Sequence, residues 1–123
     1  MKFTLEDNSR VNLIRSYAAG EVRVGERILR SSCIVTAETL IEGWEPATVA
    51  DLQLAHLEKI FALAPEVVLL GTGMTQRFAA APIRAAFAER RIGLEAMDLG
   101  AACRTYNVLV QEERKVAAAL LLA

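Results

Sequence analysis

The sequence is poor in the side chains that build metal centres and covalent frameworks. Its 123 residues include one histidine and two cysteines, and Cys33 and Cys103 stand far apart with no CxxC pair. A structural zinc site needs about four ligands at close spacing, and disulfides are rare in cytosolic proteins. We therefore expect no metal and no cofactor, and we expect both cysteines to pack as small core residues.

The sequence also lacks an excess of charge and a long apolar run. Its 14 Lys and Arg residues are balanced by 15 Asp and Glu residues, for a net charge of −1. A nucleic-acid surface or a polybasic membrane patch would need a basic excess. No run reaches the roughly 18 apolar residues of a membrane span, and the N-terminus lacks a secretory or mitochondrial leader. We expect a cytoplasmic protein with no nucleic-acid partner and no membrane span.

Apolar residues are abundant, at 54% of the chain. No linker, repeat or low-complexity tract interrupts them, so residues 1–123 are predicted to form a single domain. The first part of the chain alternates short apolar runs with glycine turns, which predicts a meander of strands. The predicted strands cover residues 12–18, 21–24, 26–30 and 32–40.

The second part, residues 46–123, alternates helix and strand patterns. Thr48 and Asp51 resemble a capping box, which predicts one helix that ends at Pro65. Strands are then predicted from Glu66, Leu94 and Val116. This β-α-β-α-β order predicts a three-layer α/β arrangement with at least one parallel pair of strands.

Two further helices separate those strands. Pro82 suits the first turn of one, and Gly93 is expected to close it. Asp98 is expected to cap the other. Its predicted buried side carries, at helical spacing, Ala101, Thr105, Val108, Leu109 and Glu112.

Gly71, Thr72 and Gly73 directly follow a predicted buried strand. Ligands favour the carboxyl ends of strands in α/β sheets, and glycine lets backbone N–H groups approach an anion. A dinucleotide fingerprint would have glycine where Gln76 stands, and no Gly-Lys-Ser/Thr sequence follows. The run therefore indicates either a small-ligand loop or a plain tight turn.

Polar residues near this loop complete a candidate ligand site. Glu95 interrupts an apolar strand, so it either faces inward toward Arg104 or Arg114 or lies on a half-exposed strand. The run Thr105, Tyr106, Asn107 could line a polar pocket beside the glycines. Alternatively, Tyr106 packs its ring under a loop and Asn107 bonds a nearby backbone group.

No catalytic residue is predicted. His56 is the one side chain expected to titrate near pH 7 unperturbed, but no nucleophile motif such as GxSxG accompanies it. We expect a half-buried histidine with satisfied hydrogen bonds. Trp44, the single tryptophan, is expected to anchor the junction of the two halves.

The order and spacing of several short runs resemble a small domain family of unassigned biochemical activity. They cover nearly the whole chain: Tyr17, Gly20, Gly43-Trp44, Gly71-Thr72-Gly73 and residues 93–97, 101–110 and 113–120. The family includes a mitochondrial respiratory complex I assembly factor and the adipogenesis-associated Mth938 domain-containing protein. The resemblance implies an α/β (α+β-like), Mth938-like three-layer fold, with a central mixed β-sheet, helices packed on it and a small N-terminal β-sheet. Leu99 and Gly100 depart from it, because members often have threonine there.

Two functions follow from these observations. The resemblance and the absence of a catalytic constellation favour a non-enzymatic interaction or assembly module with an unknown protein partner, which could also form a homo-oligomer. The alternative is a small-ligand or anion-binding domain, or a weak enzyme, with its pocket at Gly71, Thr72 and Gly73. Enzymatic activity thus stays open, and the organellar assembly role does not transfer automatically.

Overall fold

The N-terminal part of the chain forms a small antiparallel sheet. The computed structural model describes residues 11–122. In the described chain, β1 (Ile14–Ala18), β2 (Glu21–Val24) and β3 (Arg27–Leu29) pair in sequence order. Gly20 and Gly25 supply the positive φ angles, +73° and +58°, that the two tight turns require. The predicted meander is therefore confirmed for its first three strands, whereas the fourth, predicted over residues 32–40, belongs to the larger sheet.

A larger mixed sheet forms the centre of the molecule. Its strands are, in spatial order, β5 (Leu40–Glu42), β4 (Cys33–Val35), β8 (Val116–Leu120), β6 (Val67–Gly71) and β7 (Gly93–Met97). Strand β6 runs parallel to both β7 and β8, while β4 is antiparallel to β5 and β8. The strand predicted over residues 32–40 is thus two strands, because a turn closed by the Thr36 hydroxyl and the Thr39 N–H separates them.

Helices cover both faces of this sheet and complete the three predicted layers. They are α1 (Glu58–Phe61), α2 (Ala81–Glu89) and α3 (Leu99–Gln111). One core joins α3, the small sheet and one face of the large sheet. A second core joins α1, α2 and Trp44 to the other face. The α/β fold inferred from the sequence is confirmed.

The single helix predicted between Thr48 and Pro65 is wrong. Two 3-10 turns, Val49–Asp51 and Leu54–Leu57, precede the short α1. The backbone is extended at Gln53, and its N–H donates to Nδ1 of His56 at 2.9 Å. Because the His56 side chain accepts this N–H, a new turn begins here and the backbone hydrogen bonds of a continuous helix are interrupted.

The ends and buried faces of the later helices also differ from expectation. Asp98 caps α3 as predicted, since its Oδ1 accepts the Ala101 N–H at 2.9 Å. The left-handed residue after α2 is Arg91, with φ +59°, and not Gly93. The buried face of α3 is rotated from the predicted side, so Val108 is 53% exposed. The reason is that α3 packs against both sheets, burying Leu99, Gly100, Ala102, Cys103, Tyr106 and Val110.

Both cysteines lie in the core that contains α3. Burial raises the pKa of the Cys33 thiol and of the Cys103 thiol to about 12 in each case. Because the thiolate is the reactive form, we expect neither to react with iodoacetamide in the native protein at pH 8. Both should react once guanidinium unfolds the chain, as mass spectrometry would show.

The same shifts make stability fall at high pH. An unfolded thiol ionises near pH 8.5, whereas the folded thiols stay protonated up to about pH 12. The unfolded state therefore loses protons first, and the free energy of unfolding should decrease as pH rises above about 9. Rapid alkylation of either cysteine in the native protein would contradict this account.

Candidate functional site

The loop after β6, residues 72–80, is fixed to the fold by one side chain. The buried Thr72 hydroxyl donates to the Thr75 carbonyl at 2.8 Å and accepts the Arg77 N–H at 3.0 Å. Its backbone N–H donates to the Met97 carbonyl at 2.9 Å. Gln76 Nε2 adds a bond to the Ala96 carbonyl. Thr72 therefore holds the loop in one conformation, although most of the loop is exposed.

The two glycines of this loop have separate structural roles. A Cβ on Gly71 would lie 3.0 Å from Leu120 Cδ2 and 3.3 Å from Ala102 Cβ, so Gly71 allows α3 to approach β6. Gly73 has φ +94°, and its carbonyl accepts the Leu99 N–H at 2.7 Å. The loop thus presents a carbonyl, not an N–H group, to the first turn of α3.

Replacing Gly73 with alanine should cost stability through backbone strain alone. Nothing lies within 4 Å of a Cβ built there, but the positive φ is one that side chains rarely adopt. We expect a loss of about 1–2 kcal/mol in the free energy of unfolding, measured by urea denaturation. An unchanged midpoint would show that the loop relaxes to another conformation. Gly20→Ala, at a second open glycine with positive φ, is the matched control for the strain.

Glu95 lies exposed on the edge strand β7. The partners considered for it from the sequence are engaged elsewhere. Arg114 Nε lies 2.9 Å from Oε1 of Glu66, a contact that lowers the pKa of that carboxyl. Arg104 donates to the hydroxyl of Tyr17, whose ring lies over Gly100. Glu95 thus occupies a half-exposed strand, the second of the two placements considered.

Tyr106 and Asn107 face the small sheet. The Tyr106 ring is completely buried, and its hydroxyl donates to the Asn12 carbonyl at 2.7 Å. Asn107 accepts the Ile14 N–H at 2.9 Å and donates to the Ile14 carbonyl at 2.8 Å. The half-buried Thr105 precedes them on the helix.

The structure therefore brings only part of the predicted site together. Gly71, Thr72 and Gly73 meet the first turn of α3, whereas Asn107 lies about 12 Å further along the helix axis. Two amides of that first turn are engaged within the fold: Leu99 N–H donates to the Gly73 carbonyl, and Ala101 N–H donates to the Asp98 carboxylate.

Cavities lie elsewhere. One of about 340 Å³ opens beside the first residues of β6 and β8, where Leu63, Val110 and Val116 form an apolar wall and Glu38, Glu113 and Lys115 lie at the rim. No sequence pattern indicates this cavity, because its walls come from distant segments. A smaller one, of about 140 Å³, lies beside Trp44, His56 and Lys59.

His56 and Trp44 hold the region before α1 in place. His56 Nδ1 accepts a backbone N–H, and Nε2 lies 3.5 Å from Oε1 of Glu45. The buried Trp44 donates its indole N–H to the His56 carbonyl at 3.1 Å. Within residues 11–122, no three His, Cys, Asp or Glu side chains cluster as metal ligands would. Across that same range, no helix has the length and apolar character to cross a membrane.

One apolar surface was not foreseen from the sequence. Met74 is 68% exposed and Phe78 is 73% exposed on the loop that Thr72 fixes. The loop leads into α2, whose exposed side carries three alanines and a proline together with Arg84 and Glu89. We call this region the Phe78 surface; it comprises Met74, Phe78, Ala81, Pro82, Ala85 and Ala88. Part of the signal was present in the sequence, since four of the nine α2 residues are exposed alanine or proline, which is unusual for a helix that faces water.

Known proteins are similar to this chain in both sequence and fold. Residues 14–121 match the family described as protein of unknown function (DUF498/DUF598). A relative from Danio rerio, NADH dehydrogenase (ubiquinone) 1 alpha subcomplex assembly factor 3, is 29% identical over 111 residues. The match covers 89% of this chain but 63% of that protein, so the chain spans less than two thirds of it.

Solved structures agree with the sequence match. A Xanthomonas campestris protein solved by NMR has a TM-score of 0.82 and 43% identity, covering 89% of this chain and 83% of that one. A Bordetella pertussis protein, described as a Mth938-like domain, has a TM-score of 0.79 and 27% identity. The match covers 90% of this chain and 85% of that one. The chain thus belongs to the DUF498/DUF598 family of proteins of unknown function and has the Mth938-like fold.

Proposed function

We propose that this chain is a non-enzymatic interaction module of the assembly type, which docks a protein partner on the Phe78 surface. The observation that carries the proposal is the pair of exposed apolar side chains, Met74 and Phe78, on a loop fixed by buried Thr72. Exposed apolar side chains that lie together in one patch often mark a protein–protein interaction site.

The rigidity of the loop favours binding. Burying one phenylalanine side chain contributes roughly 1.5–3 kcal/mol. A mobile loop would lose part of that gain, because ordering its backbone and side chains costs free energy. The Thr72 hydroxyl and the Gln76 amide already hold this loop in the free protein.

The family match supports the same function. The Danio rerio relative is named as an assembly factor, and such a protein acts by contacting other proteins. We extend that type of role to this chain, with the partner unidentified and a cytoplasmic location as part of the proposal. A small ligand at Gly71, Thr72 and Gly73 has less support, because the neighbouring amides of α3 are engaged within the fold.

The proposal is tested by quantitative affinity purification from the organism that encodes the chain. Three tagged proteins are compared: the wild type, the double variant Met74→Ser/Phe78→Ser, and Val108→Ser. Val108 is the matched control because it is also exposed but lies on α3. Circular dichroism should show that all three are folded.

We expect at least one protein to be enriched equally by the wild type and by Val108→Ser, and to fall about tenfold or more with the double variant. Equal enrichment by all three would overturn the proposal. If a second copy of the chain is the only protein lost, the surface mediates self-association and the separate partner is wrong.

A further inference from the structure

The charged residues nearest to Phe78 in the sequence are both basic, and the one acidic residue of α2 is Glu89, at its last position. The chain has 15 acidic and 14 basic residues, yet no Asp or Glu lies between Glu66 and Glu89. Arg77 and Arg84 are the charged residues of that stretch. Both are exposed, and they stand on either side of Phe78 in the sequence.

The fold also keeps these arginines near Phe78. Arg84 Nη1 donates to the carbonyl of Ala79, the residue after Phe78, at 2.6 Å. The backbone of Arg77, the residue before it, is bound by the Thr72 hydroxyl. The Arg84 guanidinium and the Arg77 backbone are therefore held beside the two neighbours of Phe78 in the chain.

Neither guanidinium has an acidic partner within residues 11–122. This sets the two apart from four other arginines, which each form an ion pair with a glutamate: Arg23, Arg27, Arg30 and Arg114. A partner that covered Phe78 would take Arg77 and Arg84 partly out of water. Desolvating the two guanidinium groups costs free energy unless carboxylates of the partner pair with them.

From this juxtaposition we infer that the Phe78 surface binds an acidic amphipathic helix of the partner protein. The inference rests on the proposed function. Carboxylates of the partner helix would pair with Arg77 and Arg84, and its apolar side chains would cover Met74 and Phe78.

The outer face of α2 favours a helix over a lipid surface. Ala81, Ala85 and Ala88 have short side chains, so a second helix can approach α2 closely and pack along it. Membrane-surface helices instead carry bulky Trp, Phe and Leu side chains on the buried face. Electrostatic complementarity would then raise the association rate and exclude basic partners.

The test uses p-benzoylphenylalanine in place of Phe78, which preserves the aromatic ring and forms a covalent cross-link to whatever contacts it. Cross-linking is done in cells of the source organism, and mass spectrometry identifies the linked peptide. The same amino acid at Val108 is the control for random contact. We expect position 78 to give one dominant peptide that is rich in Asp and Glu and has apolar residues at helical spacing.

Charge reversal gives a second readout. Arg77→Glu is the main variant, because among residues 11–122 only the backbone of Arg77, and not its side chain, is hydrogen-bonded, so the fold should tolerate it. We expect Arg77→Glu to lower the cross-link yield at position 78 about tenfold. Arg15→Glu, at an exposed position of β1, should leave the yield unchanged. Raising the salt to 0.5 M in a lysate should have a similar effect to Arg77→Glu, since salt screens exposed charges.

The outcomes separate this inference from the proposed function. A linked peptide that is neutral or basic, or a yield insensitive to Arg77→Glu, overturns the acidic helix but leaves the docking surface. Cross-links to lipid, with sedimentation of the protein on phosphatidylglycerol vesicles, overturn the helix in favour of a membrane surface. No cross-link specific to position 78 overturns both.

Discussion

Replacing Tyr106 with alanine should lower the free energy of unfolding by about 3–5 kcal/mol. The ring is completely buried in the core where α3 meets both sheets. Its removal leaves a cavity, and the cavity would close only if the helix and both sheets moved together. Urea denaturation followed by circular dichroism measures the loss. A loss below about 1 kcal/mol would show that this core is loosely packed.

Two further variants separate the ring from its hydroxyl. Tyr106→Phe keeps the ring but leaves the Asn12 carbonyl without its donor, and should cost about 1–2 kcal/mol. Val108→Ala, at an exposed position of the same helix, should stay within about 0.5 kcal/mol of the wild type. If Tyr106→Phe proves as costly as the alanine variant, the hydrogen bond and not the packing dominates.

The second large effect is expected at Asn107. Its side-chain amide bonds both the N–H and the carbonyl of Ile14. Asn107 thus takes the place that a neighbouring strand would have beside this residue of β1. Asn107→Ala leaves a part-buried donor and acceptor without partners, so we expect a loss of about 2–3 kcal/mol in the free energy of unfolding. Hydrogen exchange at the Ile14 amide should also accelerate, because β1 would open locally.

The chemistry of the amide can be tested at fixed size. Asn107→Asp keeps an oxygen that accepts the Ile14 N–H but replaces the donor with a second oxygen, which would face the Ile14 carbonyl. It should be at least as destabilising as alanine at neutral pH. Gln111→Ala, at an exposed position of the same helix, is the control. A stable Asn107→Asp protein would mean that the donor contributes nothing.

The sequence predicted the elements whose signals are local. Glycine turns defined the small sheet, the apolar runs defined β6 and β8, and Asp98 marked the start of α3. The alternation of helix and strand patterns predicted the three layers, and the resemblance added the separate small sheet. The prediction of one long helix over residues 49–63 was wrong. The Gln53 N–H donates to the His56 side chain instead of to a helical carbonyl, and the spacing of apolar residues does not reveal such a bond.

The candidate site was harder to predict because its residues serve long-range contacts. Tyr106 and Asn107 bond to Asn12 and Ile14, which are distant in sequence, so no spacing rule pairs them. The small apolar side chains of α2 gave a partial signal for the Phe78 surface, but the exposure of Phe78 itself could not be predicted. An apolar residue is expected inside until the fold shows that Ile83 and Phe87 already fill the face of α2 toward the core.

The central place of β8 in the large sheet bears on how the chain folds during synthesis. Strand β8 (Val116–Leu120) lies between β4 and β6 and is made after both. Until it leaves the ribosome, the pair β4–β5 and the pair β6–β7 have no strand to join them, and each leaves an apolar edge unpaired. The central sheet therefore closes late in translation, and a nascent chain halted before Val116 should be a preferred client of chaperones.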